Sequence, residues 1–169
     1  MMIKIIKRYF YLYIFEKIFS MLSKASKYAI SAVIYLTNNS TIDKKLGSKE
    51  IAEAIEIPAP FLAKTLQQLT KKGIISSIKG PHGGFYLSEK NTDKTLFDII
   101  DCVDDIEKFN SCYLSQNNCN ENNPCVAHHI YAPFKDKLIR KLKTKTIIEM
   151  AEEFKQNSNL NNQIFAVLT

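Results

Sequence analysis

The sequence predicts a mainly α-helical fold with one two-stranded β hairpin and a long helix near its C-terminal end. Three observations lead to this prediction. Apolar residues recur three and four positions apart in most segments, which is the period of amphipathic helices. Two short β-prone runs, IISSIK and FYL, flank the turn-forming sequence GPHGG. Three of the four Cys lie between residues 112 and 125, in a segment that has neither period.

The first three predicted helices lie before the hairpin. Residues 27–38 carry apolar side chains at helical spacings. Ser48 is the expected N-cap of a second helix, SKEIAEAI. Pro60 suits the first turn of a third helix, and Gly73 suits its C′ position. Two amphipathic helices joined by a short turn are typical of a helix-turn-helix motif, whose second helix enters the DNA major groove.

The hairpin follows this motif directly. Lys79 lies at its base and His82 at its tip. A helix-turn-helix followed by a hairpin is a winged helix, and the hairpin, or wing, contacts phosphates or the minor groove. For His82, an exposed loop position without a role is the alternative.

The predicted contacts with DNA come from the third helix, named the recognition helix below, and from its surroundings. Lys64 and Gln67 offer hydrogen bonds to base edges or phosphates. The recognition-helix residues expected to touch DNA are Pro60, Phe61, Lys64 and Gln67, and those expected to touch the DNA backbone or minor groove are Ser48, Lys79, Gly80 and His82.

A fourth helix is predicted to begin at Thr95, which forms a capping-box pattern with Asp98. Periodicity is then lost over residues 107–124, an Asn-rich stretch with few aliphatic residues. A long segment without secondary structure inside a compact domain is usually functional or disordered.

A long helix is predicted from Val126, and Pro133 within it is a candidate kink. Thr146 and Glu149 form a second capping box, which opens a short last helix. The long helix carries one apolar stripe, formed by Ile130, Phe134, Leu138 and Leu142.

The cysteine spacing predicts a metal site on Cys112, Cys119, Cys125 and His128, with His129 as the rival fourth ligand. Thiolates are soft ligands that suit zinc and iron–sulfur clusters. Structural zinc sites normally use closely spaced Cys pairs, which are absent here, so a cluster is favoured over zinc. Four protein ligands suffice for a 2Fe–2S cluster with mixed ligation, and a 4Fe–4S cluster is the second choice. Cysteines without metal, or a disulfide switch, are the alternatives.

The remaining Cys, Cys102, is expected to be a small packed thiol on the fourth helix.

Residues 1–20 do not match the pattern of the rest. Their longest apolar run, Tyr9–Phe15, is seven residues, far short of the roughly 20 that span a bilayer. No signal-peptide cleavage site follows. We therefore expect Met21 to be the true start of the protein, and the alternative is a basic, aromatic helix lying on a membrane surface.

Charge supports a division into functional parts. Residues 21–90 hold ten Lys and Arg against five Asp and Glu, whereas residues 91–127 hold two against seven. A basic block suits nucleic acid and an acidic one suits a regulatory part. The expected divisions are a leader at 1–20, a winged-helix DNA-binding domain at 21–90, a connecting helix and cysteine loop at 91–127, dimerisation helices at 128–155 and a flexible tail at 156–169.

The order of these motifs resembles the Rrf2 family of winged-helix regulators, the family of IscR and NsrR, from about Met21 to Phe154. The motifs that carry the resemblance are MLSKASKYAI, SKEIAEAIEIPAPFLAKTLQQLTKKGII, SSIKGPHGGFYL, TLFDIID and CVAHHIYAPFKDKL. The resemblance implies a homodimer paired through the long helix. It also carries the cluster-ligand role onto Cys112, Cys119, Cys125 and His128.

The chain departs from this family in four places. Lys27 stands where NsrR-like members have an acidic fourth ligand. The first cysteine gap has six residues, where IscR-like members tend to have five. His82 replaces a usual wing Gly, and Ala63 stands where IscR has an acidic residue. These departures bear on cluster type and on operator preference.

The function expected from the sequence is a cytoplasmic, homodimeric repressor that binds a palindromic double-stranded operator. Its iron–sulfur cluster would sense iron–sulfur status, redox or nitric oxide. The sequence contains no nucleophile–base motif and no phosphate loop, so we do not expect an enzyme. One alternative is a metal-free winged-helix regulator switched by thiol oxidation or a partner. The other is a small iron–sulfur redox or carrier protein that does not bind DNA.

Overall fold

The computed structural model describes residues 22–104, 106, 112, 114 and 119–156. The predicted leader and residues 157–169 of the predicted tail lie outside this part. The helices are α1 (Lys24–Asn39), α2 (Ser48–Ala54), α3 (Ala59–Lys71), α4 (Leu96–Val103), α5 (His128–Thr144) and α6 (Ile147–Gln156). Two strands, β1 (Ser76–Ile78) and β2 (Gly84–Tyr86), and a short 3-10 turn (Glu89–Asn91) lie between α3 and α4. The predicted mainly helical fold with one hairpin is confirmed.

Helix α1 lies at the centre of the core. Ser23 caps its first turn, where the Ser23 Oγ accepts a hydrogen bond from the Ser26 N–H at 3.1 Å. Its buried residues lie on more than one face, because α1 packs against α3, α4 and α6 at once. The fully buried residues of α1 include Ala29, Ala32, Val33 and Leu36.

The helix-turn-helix consists of α2 and α3. The predicted N-cap at Ser48 is wrong by one residue, because the first intrahelical carbonyl belongs to Gly47 and accepts the Ile51 N–H at 3.0 Å. Pro60 lies in the first turn of α3, as predicted. The predicted C′ glycine is also confirmed, since Gly73 has a φ of 69°. The Ile74 N–H reaches back to the Leu69 carbonyl at 2.9 Å, which closes a Schellman motif.

The wing is an antiparallel pair in which Ser77 lies opposite Phe85. Leu46, which precedes α2, pairs with β2 through two backbone hydrogen bonds with Phe85, of 3.0 and 2.9 Å. This pairing requires glycine at position 84, because a Cβ there would lie 2.7 Å from the Leu46 carbonyl oxygen. The wing is thereby held to the body of the domain beside α2.

The long helix α5 begins at His128 rather than at Val126, which lies before it. Its apolar stripe is divided in two. Leu138 and Leu142 are buried in the core, whereas Ile130 is 82% exposed and Phe134 42% exposed. The N-terminal half of α5 therefore presents apolar side chains that the described part of this chain does not cover.

Both predicted capping boxes are present. The Thr95 N–H donates to the Asp98 carboxylate at 2.8 Å, and the Thr146 N–H donates to that of Glu149 at 3.1 Å. The two capping residues also form a backbone bridge with each other, which joins the start of α4 to the start of α6. No described helix is both long and apolar enough to cross a bilayer.

Candidate metal centre and nucleic-acid interface

Three thiols converge at the entry to α5. The Sγ atoms of Cys112, Cys119 and Cys125 all lie within 4.8 Å of one another. The Sγ atoms of Cys112 and Cys125 are 3.5 Å apart, and none of the three is in a disulfide. Cys125 is buried, and the other two are partly buried. The fold thus brings together all three cysteines that the sequence assigned to the site.

His128 joins this group from the first position of α5. Its Nδ1 lies 3.2 Å from the Cys119 Sγ. The turn that places it there is closed by the His128 N–H, which donates to the Cys125 carbonyl at 3.0 Å. His129 is exposed and meets the His128 ring edge-on, with the ring centroids 5.8 Å apart. Of the two neighbouring histidines, His128 is the one beside a thiol.

The segment between Cys119 and Cys125 contains a tight turn centred on Asn120. The Asn120 Oδ1 accepts the backbone N–H groups of Asn122 and Asn123, each at 2.9 Å. The backbones of Asn120 and Asn123 also pair with each other, at 3.3 and 3.2 Å. Asn120 had no predicted role, although an Asn that bonds to the backbone two and three residues on is a recognised turn signal.

The thiols influence one another electrostatically. The Cys125 backbone N–H, which donates to the Cys119 Sγ at 3.4 Å, lowers the pKa of Cys119 more than any other group affects it. Desolvation and the neighbouring thiols of Cys125 and Cys112 together outweigh that effect and raise this pKa above its usual value. A metal that binds Cys119 must therefore displace its proton.

The donor set fits a soft metal centre. Thiolate sulfur and imidazole nitrogen are ligands of zinc and of iron–sulfur clusters. Two thiolates on one tetrahedral ion, at a metal–sulfur distance of about 2.3 Å, stand about 3.8 Å apart. The observed separation of 3.5 Å between Cys112 and Cys125 is close to that spacing. It is far longer than an S–S bond of about 2.05 Å.

Cys102 lies apart from this centre, on α4. Burial raises the pKa of its thiol, while Lys72 lowers it and Asp101 raises it. The thiol packs partly buried against the hydrophobic core. A small packed thiol is what the sequence predicted at this position.

The candidate DNA-contact residues lie on α2, on α3 and in the wing turn. On α3, Leu62, Leu66 and Leu69 face the core, which leaves the opposite face to solvent. Ser48 is partly buried as the first residue of α2. The exposed candidates are Pro60, Phe61, Lys64 and Gln67 on α3 and Lys79, Gly80 and His82 in the wing turn.

Phe61 has a partner that the sequence did not reveal. Its ring lies edge-on to the ring of Tyr28 in α1, with centroids 5.2 Å apart and an interplanar angle of 80°. Phe61 remains 41% exposed. Tyr28 therefore fixes the direction of an exposed aromatic ring at the start of the recognition helix.

A helix-turn-helix, a wing and an attached cysteine–histidine group together define a winged-helix regulator with a candidate metal site. The Rrf2 family model, described as an iron-dependent transcriptional regulator, matches residues 22–153. The chain belongs to the Rrf2 family and is a transcriptional regulator rather than an enzyme.

Individual relatives agree with this assignment. An HTH-type transcriptional regulator of Aquifex aeolicus (strain VF5) is 37% identical over 130 residues, which are 76% of this chain and 89% of that protein. The Escherichia coli HTH-type transcriptional regulator IscR is 25% identical over 129 residues, which cover 76% of this chain and 78% of IscR.

Among solved structures, CymR, the global cysteine regulator of B. subtilis, superposes with a TM-score of 0.63 at 20% identity. The match covers 78% of this chain and 96% of CymR. At that identity the likeness establishes the winged-helix fold alone. The family assignment favours a DNA-binding regulator over the iron–sulfur carrier considered as an alternative.

Proposed function

We propose that the protein is a cytoplasmic, homodimeric repressor whose DNA binding responds to iron–sulfur status, redox or nitric oxide through a cluster of the 2Fe–2S type. One observation carries the proposal: Cys112, Cys119, Cys125 and His128 converge at the N-terminal end of α5, in the segment that joins α4 to α5. A sensor at that place can affect both the DNA-binding part and the helix proposed to form the dimer.

The four residues would hold the cluster, and Cys112 and Cys125 form its closest pair of thiols. When bound, the cluster supplies a redox-active and oxidant-labile group to the protein. Asn120 keeps Cys119 and Cys125 near each other in the turn, and His128 ties the group to the first turn of α5. Ligation or its loss would thus shift the population of conformations in which α5 and the DNA-binding part are correctly placed.

The dimer is proposed to form through the N-terminal half of α5 and the residues just before it. Val126 is 92% exposed, and Ile130 and Phe134, which follow it at intervals of four residues, are 82% and 42% exposed. Large apolar side chains exposed together in one region mark interaction sites. A two-fold dimer would place two recognition helices on the two halves of a palindromic operator.

The proposed DNA contacts are those of the sequence analysis. Lys64 and Gln67 extend from the exposed face of α3, and Lys79 extends from the wing. Phe61, oriented by Tyr28, supplies an apolar contact beside them. Arg, Lys and Gln are the side chains that commonly reach base edges and phosphates.

Anaerobic purification with absorption spectroscopy and counts of iron and acid-labile sulfide tests the cluster. We expect a coloured protein, with loss of colour and iron in Cys112→Ala, Cys119→Ala, Cys125→Ala and His128→Ala. The matched controls Cys102→Ala and His129→Ala should retain both. Wild-type protein that is colourless and free of iron after careful anaerobic work would refute the proposal.

A second candidate rests on the 3.5 Å separation of the Cys112 and Cys125 thiols. In metal-free protein, hydrogen peroxide would accept two electrons and two protons from this pair, which gives a disulfide and two molecules of water. The regulator would then be switched by thiol oxidation without a metal. Peptide mass mapping after treatment with hydrogen peroxide should find the Cys112–Cys125 link in Cys119→Ala, and the absence of that link would contradict this candidate.

A further inference from the structure

Asn91 is a buried polar side chain between the recognition helix and the wing. It is 3% exposed, although it belongs to a surface turn. Its Nδ2 donates to the Gly73 carbonyl at 2.8 Å. Its Oδ1 accepts the Ser88 N–H at 2.9 Å and the Ser88 and Ser76 hydroxyls at 2.6 and 2.9 Å. One amide thus serves partners from three segments of the chain.

The chemistry of these partners requires an amide at this position. The Gly73 carbonyl can only accept a hydrogen bond, and the Ser88 backbone N–H can only donate one. One orientation of the Asn91 amide satisfies both. A carboxylate would place an acceptor against the Gly73 carbonyl, and an apolar side chain would leave both backbone groups without this partner in a buried place.

The three segments are those that must be aligned for a winged helix to hold DNA. Gly73 ends the recognition helix, Ser76 begins β1 and Ser88 follows β2. The strands have only three residues each, and a two-stranded hairpin that small is not stable by itself. The wing therefore takes its direction from its attachments.

The other attachments of the wing lead to α2 and α1 rather than to α3. Leu46 pairs with Phe85 beside α2, and the Leu87 N–H donates to the Ser40 Oγ at the end of α1, at 3.2 Å. The Asn91 bonds join both sides of the wing to the end of α3. We infer that Asn91 is a positioning residue for DNA binding, which fixes the wing relative to the recognition helix so that Lys64 and Lys79 meet one duplex. This inference rests on the proposed DNA contacts.

Salt-dependent DNA binding tests the inference. The probe is a short duplex of arbitrary sequence, because phosphate contacts of the wing do not depend on sequence. Each phosphate contact contributes about 0.9 to the slope of log affinity against log salt concentration. We expect Lys79→Ala to reduce the slope by about 0.9 per wing, and Asn91→Ala to reduce it by the same amount. The double variant should reduce the slope no further, since each of the two changes removes the same phosphate contact of Lys79.

Three further variants separate positioning from loss of stability. Met150→Ala weakens the core in α6, which packs against α1, and should leave the slope unchanged. Thr92→Ala changes the exposed neighbour of Asn91 and should behave like the wild type. Ser76→Ala removes a single hydroxyl from the cluster and keeps the bonds of Asn91 to Gly73 and Ser88. Ser76→Ala should reduce the slope partially, and it replaces Asn91→Ala as the test variant if Asn91→Ala does not fold.

The outcomes discriminate between the inference and the proposed function. Suppose that Lys79→Ala lowers the slope. A wild-type slope in Asn91→Ala then overturns the inference. If Asn91→Ala does not fold, a wild-type slope in Ser76→Ala overturns it instead. A wild-type slope in Lys79→Ala overturns it too, because the wing then contacts no phosphate. Wild-type protein that binds no duplex contradicts the proposed function itself.

Discussion

Gly73 determines where the recognition helix ends. Its φ of 69° lies in the left-handed region, and no atom lies within 4 Å of where a Cβ would stand. Gly73→Ala should therefore destabilise the fold by about 1–2 kcal/mol through backbone strain alone. Gly47→Ala is the matched control, because that site is equally open and its φ is −72°. It should change stability by less than about 0.5 kcal/mol in urea unfolding. Equal effects of the two changes would contradict the argument.

Cys102 should make stability depend on alkaline pH. Burial raises the pKa of its thiol above the usual 9.0, so the folded state prefers the protonated form. Its contribution is complete below the unfolded-state pKa and is lost as pH rises through the higher folded-state pKa. The difference in unfolding free energy between wild type and Cys102→Ala should thus shrink as urea titrations move above pH 9.0. A difference that is constant with pH would exclude this linkage.

Residues whose partners are close in sequence could be predicted, and residues with distant partners could not. Thr95 and Thr146 bond to carboxylates three residues on, so a local pattern reveals them. The first turn of α2 shows the limit of that method. The residue type favoured Ser48 as the N-cap, whereas the carbonyl that accepts the first helical hydrogen bond belongs to Gly47. Asn91 bonds to Ser76 and Gly73, which are 15 and 18 residues away. Nothing in its neighbourhood predicts that contact.

Among the elements, the turn at Asn120 has the most direct effect on the metal site. Its side chain bonds hold the turn between Cys119 and Cys125, so the two thiols are partly arranged before any metal binds. Asn120→Ala should weaken Co²⁺ binding about fivefold, the equivalent of ~1 kcal/mol for one net hydrogen bond. The charge-transfer absorption of cobalt thiolates measures this affinity.

Asn122→Ala is the control for that prediction. Asn122 contributes its backbone N–H to the turn, and the alanine variant retains this group. Its Co²⁺ affinity should match that of the wild type. If both variants bind Co²⁺ as the wild type does, the turn does not prearrange the site.

The cysteine loop and α5 differ in how far the sequence could predict them. Spacing alone gave the three thiols and two candidate histidines, and it could not choose between His128 and His129. The choice depends on the turn at Cys125, which sets the phase of α5 relative to the thiols. The apolar stripe of α5 was visible in the sequence. Periodicity could not indicate that its N-terminal half stays exposed, because a helix has the same period whether its own chain or another one covers it.

At the scale of the whole molecule, the proposed second subunit decides whether two DNA-binding parts act together. Ile130 is 82% exposed within an apolar region at the start of α5. Ile130→Asp should give a folded monomer, because the charge would be buried without a partner in the dimer and solvated in the monomer. Sedimentation equilibrium measures the change, and circular dichroism checks that the helices remain.

Ile42→Asp provides the matched control for this last prediction. Ile42 is also an exposed isoleucine, at 58%, and it lies in the loop after α1, far along the chain from α5. This variant should remain dimeric and bind a palindromic duplex as the wild type does. Ile130→Asp should bind the same duplex far more weakly, because each monomer then engages one half-site without the help of the other. A dimeric Ile130→Asp protein would show that the subunits meet through another surface.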